Sequence, residues 1–322
     1  MTRFLARRLA FALFLVIAVS SASLVLARLA PGDFVTDSTG TEVSRQEAAR
    51  LRARYGLDKS IGSQYGAWIA AAARLDFGDS MQYGRPVRDL IPERAANTAI
   101  LAVTALLLAT LVGLPLGVVT GSRRGGALPG AIRTASVVLL SMPPLLTSLF
   151  LLFVAARTGW LPISGMRSAT VPPEGALVDL IRHLVIPAAA IGLPLAAMLE
   201  RLQAQAMSEV IGEPFVLATL ARGVPRSRIV WRGALKAALR PVAAVYGLII
   251  GTLLSGSFAV EVITAWPGLG SLMLQALRTR DVYLVAGCAG TGALFLACGT
   301  LISDLALAAI DPRAADARAE RA

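Results

Sequence analysis

The chain has 322 residues, of which 56% are hydrophobic and only 16% are charged, and its mean hydropathy is +0.67. This composition excludes an ordinary soluble protein and indicates several membrane spans with little room for a separate domain. The formal net charge is +11, but the basic residues flank apolar runs instead of forming a soluble basic domain, which argues against nucleic acid as a partner.

Six apolar segments have lengths close to the roughly 20 residues that cross a bilayer as a helix. They cover residues 9–27, 99–121, 135–156, 184–199, 242–263 and 283–303. Prolines interrupt two of them: Pro143 and Pro144 break the hydrogen-bond ladder of the third, and Pro187 and Pro194 lie in the short fourth. The predicted fold is therefore all-α, a polytopic membrane protein with six transmembrane helices.

The first segment indicates the orientation of the chain. It follows Arg3, Arg7 and Arg8, and residues 21–23 are small, as at the cleavage site of a signal peptide. The apolar run continues through Ala27, which favours an uncleaved span. Arginine and lysine concentrate in the short connections that then face the cytoplasm, so both termini are expected to lie inside.

The connection between the first two spans, residues 31–97, is expected to lie outside the cell membrane. Its nine acidic and nine basic residues balance, and long loops translocate largely regardless of their charge. Residues 45–55 are rich in helix-forming types, and residues 65–75 have an apolar helical face. We therefore expect two helices here, which would form a small external cap between spans one and two.

Several kinds of active site are absent from the sequence. His183 is the only histidine, which excludes a zinc site of the HExxH type. Neither lysine, Lys59 or Lys236, follows the glycine-rich loop that cradles ATP phosphates. Cys288 and Cys298 would lie about 15 Å apart in a helix, too far for a disulfide. We therefore expect that the chain is not an enzyme and binds no cofactor itself. Any ATP would be bound by a partner.

A basic polar stretch, residues 208–241, separates the fourth and fifth apolar segments. It has six basic residues against two acidic ones, and predicts a short helix that stops at Gly223-Val-Pro225 and then a second helix. The second helix carries basic residues at four-residue spacing: Arg228, Arg232, Lys236 and Arg240.

The first helix of this stretch places Phe215, Ala218 and Ala221 on one face, where small side chains let another backbone approach closely. Two interpretations of the stretch follow from the residues. It is either a helix that docks into a partner's groove or an interfacial hairpin whose arginines bind anionic lipid headgroups.

The stretch reads Glu213-Pro-Phe-Val-Leu-Ala-Thr-Leu-Ala-Arg-Gly223 and continues to Pro241. It resembles the cytoplasmic coupling loop of ABC importer permeases, and within them that of the dipeptide/oligopeptide permease family. Further motifs follow in the family's order along nearly the whole chain: Ala30-Pro-Gly-Asp33, Leu75-Asp-Phe-Gly-Asp-Ser80, Gly84-Arg-Pro-Val87, Gly159-Trp-Leu-Pro162, His183-Leu-Val-Ile-Pro187, Glu261 with Trp266-Pro-Gly-Leu-Gly270, and Asp304 with Asp311-Pro-Arg313. Each motif is weak alone, but together and in order they are specific.

Three residues depart from the family pattern within the loop. Leu217 and Leu220 stand where the family usually has arginine, and Ala237 replaces a usual asparagine. These changes remove polar contacts, so the groove of the partner is expected to be more apolar here. Gly223, which we interpret as the mechanical stop of the helix, is present.

The resemblance implies that one set of residues couples the chain to an ATPase: Phe215, Ala218, Thr219, Ala221, Arg222, Gly223, Val224 and Pro225. It also implies the partners, which are a second related permease, two ABC ATPase subunits or domains that bind ATP and Mg, and a periplasmic or lipid-anchored solute-binding protein. Membrane lipids would surround this multi-pass protein of the bacterial inner membrane. Closure of the ATPases would move the coupling helix and switch the pathway between inward and outward access.

Polar residues of the fifth span are candidates for the translocation path. Thr252, Ser255 and Ser257 form a hydroxyl cluster at mid-bilayer, and Glu261 follows towards the outer end. Because intramembrane charge is costly, Glu261 either lines the outer gate or makes a structural hydrogen bond. The aromatic residues expected as interfacial anchors are Trp160, Trp266 and Tyr283.

The expected function is that of an importer permease for peptides or peptide-like solutes. The expected organisation is a first transmembrane helix (1–30), an external cap (31–97), a permease core (98–310) and a cytoplasmic tail (311–322). The alternatives are an ion-coupled carrier or channel that acts without ATPase partners, and a non-transporting membrane scaffold or sensor. The sequence does not distinguish dipeptides, oligopeptides, glutathione or nickel chelates as the substrate.

Overall fold

The computed structural model of the chain describes residues 2–32, 34–35, 45–123, 125–168 and 171–310. The regular structure of these residues is helical, which confirms the all-α prediction. Within them, the one approach to a strand is an isolated bridge between Asp79 and Pro86. The expected cytoplasmic tail, residues 311–322, lies outside the described residues.

The α-helices, in chain order, are α1 (Thr2–Leu29), α2 (Arg45–Arg54), α3 (Ile61–Ala72), α4 (Val87–Ser122), α5 (Ala127–Ser141), α6 (Pro144–Thr158), α7 (Ala176–Ile211), α8 (Pro214–Ala221), α9 (Arg226–Arg228), α10 (Leu235–Ile263), α11 (Leu269–Arg278) and α12 (Val282–Ile310). A 3-10 turn (Pro173–Gly175) precedes α7, and a π-helical segment (Ile229–Ala234) joins α9 to α10. The two helices predicted between the first spans are confirmed as α2 and α3. α3 begins earlier than predicted because Ser60 caps it, accepting a hydrogen bond from the Ser63 N–H at 3.4 Å.

Five helices of the described chain are long and apolar enough to cross a membrane: Ala6–Leu29, Val87–Ser122, Ala176–Ile211, Arg226–Gly251 and Val282–Leu305. The third predicted span is instead the pair α5 and α6, which meet at an angle of 105°. Each has 15 residues and is about 22 Å long, less than the roughly 30 Å of the hydrocarbon core. The chain bends here because Pro143 lacks a backbone donor and Pro144 starts a new helix. Six spans result only if this bent pair counts as one.

The fourth predicted span lies within a longer helix than the apolar run indicated. α7 has 36 residues and continues past Pro187 and Pro194 without a break. Pro187 is buried, and neighbouring helices can compensate for the lost backbone hydrogen bond. The helix also continues beyond the apolar run and carries Glu200 and Gln203 into the protein interior.

The chain divides into two compact units, one of residues 1–99 and 267–297 and the other of residues 100–266 and 298–322. The division at residues 99 and 100 lies close to the expected boundary between cap and core. Residues 267–297, however, belong with the N-terminal unit, which the sequence did not indicate.

The first unit is organised around the buried carboxylate of Asp281. Its Oδ2 accepts hydrogen bonds from the Ser80 hydroxyl at 2.6 Å and from the Gln82 N–H at 3.1 Å. Its Oδ1 accepts from the Leu284 N–H at 3.1 Å and so caps the start of α12. The motif that ends at Ser80 therefore fixes the loop between α3 and α4 to the start of α12.

The second unit is held together by close packing of α4 on α7. Gly113, Gly117 and Gly121 follow one another at four-residue spacing on α4. A Cβ atom at these positions would lie 2.3–2.6 Å from backbone oxygens of α7. Because only glycine allows such an approach, the three residues fix how closely the two helices pack.

The prediction that Trp266 is an interfacial anchor is wrong. Trp266 is fully buried in the apolar core of the second unit, together with Leu101, Leu199 and Val260, so its ring is not accessible to lipid headgroups. The backbone N–H of Trp266 donates to the Glu261 carbonyl at 2.8 Å, just after the end of α10. Trp160, in contrast, is 76% exposed, as an interfacial anchor requires.

Candidate functional site

The candidate site is the hairpin formed by α8, the turn after it and the π-helical segment. α8 begins at Pro214, a residue favoured at the first helical position because its missing N–H would have no partner there. The Thr219 hydroxyl donates to the Phe215 carbonyl at 2.6 Å, within the helix. The short helix predicted from the sequence is thereby confirmed.

Gly223 ends α8 through its backbone conformation. Its φ of +79° lies in the left-handed region, and its N–H donates to the Leu220 carbonyl at 2.9 Å. This is the usual way in which glycine terminates a helix. A Cβ atom at Gly223 would meet nothing within 4 Å, so the backbone conformation and not the space requires glycine.

The inward face of the hairpin is attached to the second unit by an apolar cluster. Val216 of α8 is buried with Val118, Met207, Ile229 and Val230, which come from α4, α7 and the π-helical segment. Val224, in the turn, packs against the same cluster. Through Val216, α8 therefore packs directly on these three elements.

The outward face of α8 is apolar and exposed. Phe215 is 47%, Leu217 57% and Leu220 41% exposed. Of the residues predicted to couple to an ATPase, the structure exposes six and leaves Thr219 and Val224 partly buried. The exposed six are Phe215, Ala218, Ala221, Arg222, Gly223 and Pro225.

Four residues were predicted to line the translocation path, and the structure describes the side chains of two of them. Both side chains are buried. Ser257 and Glu261 are buried on successive turns of α10, with exposures of 2% and 0%. The side chains of Thr252 and Ser255 lie outside the described set. His183 is also buried, with its Nδ1 2.8 Å from the Asp179 carbonyl oxygen.

Sequence reasoning missed a buried polar cluster between α4 and α7. Glu200 Oε1 accepts a hydrogen bond from the Thr120 hydroxyl. Glu200 Oε2 and both amide atoms of Gln203 have no hydrogen-bond partner among the described residues. Glu200 and Gln203 are 1% and 0% exposed. The signal was present, since both continue the helical spacing of the buried positions Ala196 and Leu199.

Comparisons with protein families identify the chain. Residues 113–316 match the model of the binding-protein-dependent transport system inner membrane component, and residues 1–102 match the model of the N-terminal part of such membrane components. The chain belongs to this transport family. The hairpin lies within residues 113–316, the region that matches the inner membrane component.

Individual relatives are similar over almost their entire length. The oligopeptide transport system permease protein AppB of Bacillus subtilis is 30% identical over 315 residues, which cover 97% of this chain and 99% of AppB. The dipeptide transport system permease protein DppB of Escherichia coli K12 is 30% identical and covers 97% and 98%. The di/tripeptide transport system permease protein DppB of Pseudomonas aeruginosa is 32% identical and covers 88% and 90%.

Proposed function

We propose that the chain is a permease subunit of an ATP-driven importer of peptides or peptide-like solutes. The observation that carries this proposal is the extent of the likeness, because peptide permeases are matched from end to end. The names of the relatives span oligopeptide, dipeptide and di/tripeptide transport, so the class of solute is proposed and not a particular peptide.

In this proposal, the outward face of α8 is the surface that an ATPase subunit contacts. Phe215, Leu217 and Leu220 give this face apolar area, and Ala218 lets the partner approach closely. The anchoring of Val216 in the apolar cluster below supports a rigid link to α7 and α10. Motion of the ATPase would then turn the helices of the second unit as a body.

The two leucines support a partner groove of matching character. They stand where the resemblance leads us to expect arginine, and both are exposed. Complete burial of a leucine side chain contributes about 1.5–3 kcal/mol, so they would strengthen the contact considerably if the groove is apolar. An acidic groove would instead leave them unmatched.

The remaining partners follow from what the sequence lacks. The chain has no phosphate-binding loop, so partner ATPase subunits would bind ATP and Mg. A second, related permease would complete the path across the bacterial inner membrane, and an external solute-binding protein would deliver the substrate. We further propose that Ser257 and Glu261, with Thr252 and Ser255 on the same helix, face the path in another state of the cycle.

One observation favours a second candidate, an ion-coupled carrier. Glu200 is a buried carboxylate within a candidate span, and such groups often mark ion or proton pathways. The hydrogen bond from Thr120 and the neighbouring Gln203 fit this role as well. The two candidates differ in where the energy for transport enters.

Peptide uptake into liposomes tests the proposal. Liposomes would contain this chain, its partner permease and the ATPases, with the external binding protein added. We expect uptake that requires ATP and the ATPases and that persists when ion gradients are collapsed by ionophores. Uptake by this chain without ATPases, abolished by the ionophores, would contradict the proposal and favour the carrier.

A further inference from the structure

Two buried polar residues of α7, Glu200 and Gln203, have no part in the proposed coupling surface, which lies on α8 and in the turn after it. Glu200 Oε2 and both amide atoms of Gln203 lack a hydrogen-bond partner in the part of the chain that the structure describes. Buried polar atoms are nearly always hydrogen-bonded in proteins, because each unsatisfied atom costs free energy. Three such atoms on one turn of a helix therefore need an explanation.

A partner subunit cannot satisfy these atoms in the described conformation. Both side chains are almost completely enclosed by their own chain, so atoms of another chain cannot reach them. The covering contact is the one between α4 and α7, since a Cβ atom on Gly117 would lie 2.6 Å from the Gln203 Cβ. For a solute or bulk water to reach the pair, α4 and α7 have to shift against each other.

The pair lies close to the apolar cluster that holds the candidate coupling helix. Val216 of α8 packs in that cluster with Val118 of α4 and Met207 of α7. Met207 follows Gln203 by four residues, which is about 6 Å along the helix. The contact between α4 and α7 that covers the pair is therefore about one helical turn from the place where α8 packs on both helices.

The residue types indicate what the pair would face once uncovered. Glu200 and Gln203 lie within the candidate span Ala176–Ile211. Ionisable side chains within spans are costly in lipid, usually face the bundle interior or a water-filled cavity, and mark solute pathways. A peptide carries matching groups, because its N–H groups donate to carboxyl and carboxamide oxygens and its carbonyls accept from a carboxamide N–H.

We propose that Glu200 and Gln203 belong to the translocation path and contact water and the peptide in a second conformation, in which α4 has shifted against α7. The described conformation, with both residues enclosed, is then a state in which this part of the path is closed. The inference rests on the proposed function, because the second conformation belongs to its transport cycle. It adds residues of α7 to those proposed on α10.

The accessibility of introduced cysteines tests the inference in the assembled transporter. Liposomes would contain the chain, its partner permease and the ATPases, with Cys288 and Cys298 replaced by alanine. Glu200→Cys and Gln203→Cys would each be exposed to a water-soluble thiol reagent on both sides of the membrane, without nucleotide and with a non-hydrolysable ATP analogue. We expect labelling at least about tenfold faster in one of these states, because a conformation populated to about 0.1–10% becomes the major one. Excess peptide with its binding protein should slow this labelling.

Two control positions on the same helix calibrate the reagent. Ala197 is buried but points in a different direction from Gln203, and Ala197→Cys should stay unlabelled in both states. Ser208 is exposed near the end of α7, and Ser208→Cys should react alike in both. Equal labelling of Ala197→Cys and Gln203→Cys would overturn the inference, because it would indicate a general loosening of the helix.

Three further results would overturn the inference. No labelling at residues 200 and 203 in either state would mean that a static contact encloses them and that trapped water satisfies their polar atoms. Equal rates in the two nucleotide states would exclude a second conformation, and labelling that peptide does not slow would place the pair outside the path.

Peptide uptake by the same liposomes separates this inference from the proposed function. ATP-dependent uptake without labelling at residues 200 and 203 overturns the inference alone. Absence of ATP-dependent uptake by the chain with its native Glu200 and Gln203 contradicts the proposed function, and the inference fails with it.

Discussion

At the scale of single residues, two requirements could explain why a glycine, Gly223, ends the candidate coupling helix. A close contact would require a small side chain, whereas a left-handed backbone requires freedom in φ. The φ of +79° and the open space around the Cα atom favour the second explanation. A non-glycine residue in this conformation costs about 1–2 kcal/mol.

Two substitutions at Gly223 distinguish these explanations. We expect Gly223→Val to abolish most peptide-stimulated ATPase activity of the assembled transporter, because a β-branched residue strongly disfavours positive φ. Gly223→Asn should retain a large part of the activity, since asparagine tolerates this region. Membrane insertion, measured in parallel, should be unchanged in both. Equal loss in both variants would mean that the partner requires the small size of glycine.

The buried carboxyl group of Asp281 should make the stability of the first unit depend on pH. Burial raises the pKa of its carboxyl group, although hydrogen bonds from Ser80, Gln82 and Leu284 oppose this shift. A carboxyl whose pKa is higher in the folded state than in the unfolded state stabilises the fold most below the unfolded pKa of about 4. That stability is lost as the pH rises through the folded pKa.

Asp281→Asn removes this titration. We expect the stability of the wild type relative to Asp281→Asn, followed by thermal denaturation, to decrease between about pH 4 and the raised pKa. Asp79→Asn is the matched control, because Asp79 lies in the same loop but is exposed. A difference between wild type and Asp281→Asn that grows with rising pH would show that the hydrogen bonds outweigh burial.

At the scale of helices, the packing of α4 on α7 depends on a seam of glycines. A Cβ atom on Gly117 would lie 2.6 Å from both the Glu200 carbonyl oxygen and the Gln203 Cβ. The backbone oxygen cannot move away as the end of a flexible side chain could. The two helices would have to separate, and the buried polar cluster of Glu200 and Gln203 lies at the same contact.

Gly117→Ala should therefore destabilise the protein by about 1–3 kcal/mol, the usual range for overpacking. Thermal denaturation in detergent would measure the change. Gly130→Ala is the control, since Gly130 is exposed in α5 and its Cβ would meet nothing within 4 Å. It should leave the stability unchanged or raise it by up to about 1 kcal/mol through helix propensity. Equal melting temperatures of the two variants would refute the seam.

Most of the individual helices could be predicted from the sequence because their signals are local. The length of the apolar runs predicted five helices that are long and apolar enough to cross a membrane, and Pro214 and Gly223 mark the ends of α8. The glycine spacing on α4 is also readable, but its partner helix is not. The 105° angle between α5 and α6 was not predictable, because Pro143 and Pro144 indicate a break and not its direction.

At the scale of the whole molecule, residues far apart in sequence decide what the pattern alone leaves open. Trp266 has the residue type and the place in the sequence that are expected of an interfacial anchor. It is nevertheless fully buried by residues from several helices. Glu261 and Ser257 are polar residues of a span, and burial places them inside the second unit. The role that we propose for them in the path requires another conformation of the assembled transporter, which the sequence of one chain does not specify.

The partner contact can be perturbed without affecting the core. We expect Leu217→Asp to prevent stable association with the ATPases, because an exposed apolar contact would be replaced by a charge. Co-purification of the ATPases with the tagged chain would measure this. Leu128→Asp, at an equally exposed leucine near the start of α5 and outside the predicted spans, should leave the association intact. Full recovery of the ATPases with Leu217→Asp would show that the contact lies elsewhere.

The most direct test of the central claim is site-specific photo-crosslinking in native membranes. A photoreactive residue would replace Leu217 on the outward face of α8, and in a separate variant Val137 on α5. We predict a covalent adduct between position 217 and an ATPase that contains a phosphate-binding loop, and no such adduct from position 137. Adducts of position 217 with lipid alone, or none with an ATPase while the transporter remains active, would contradict the assignment of α8 as the coupling helix.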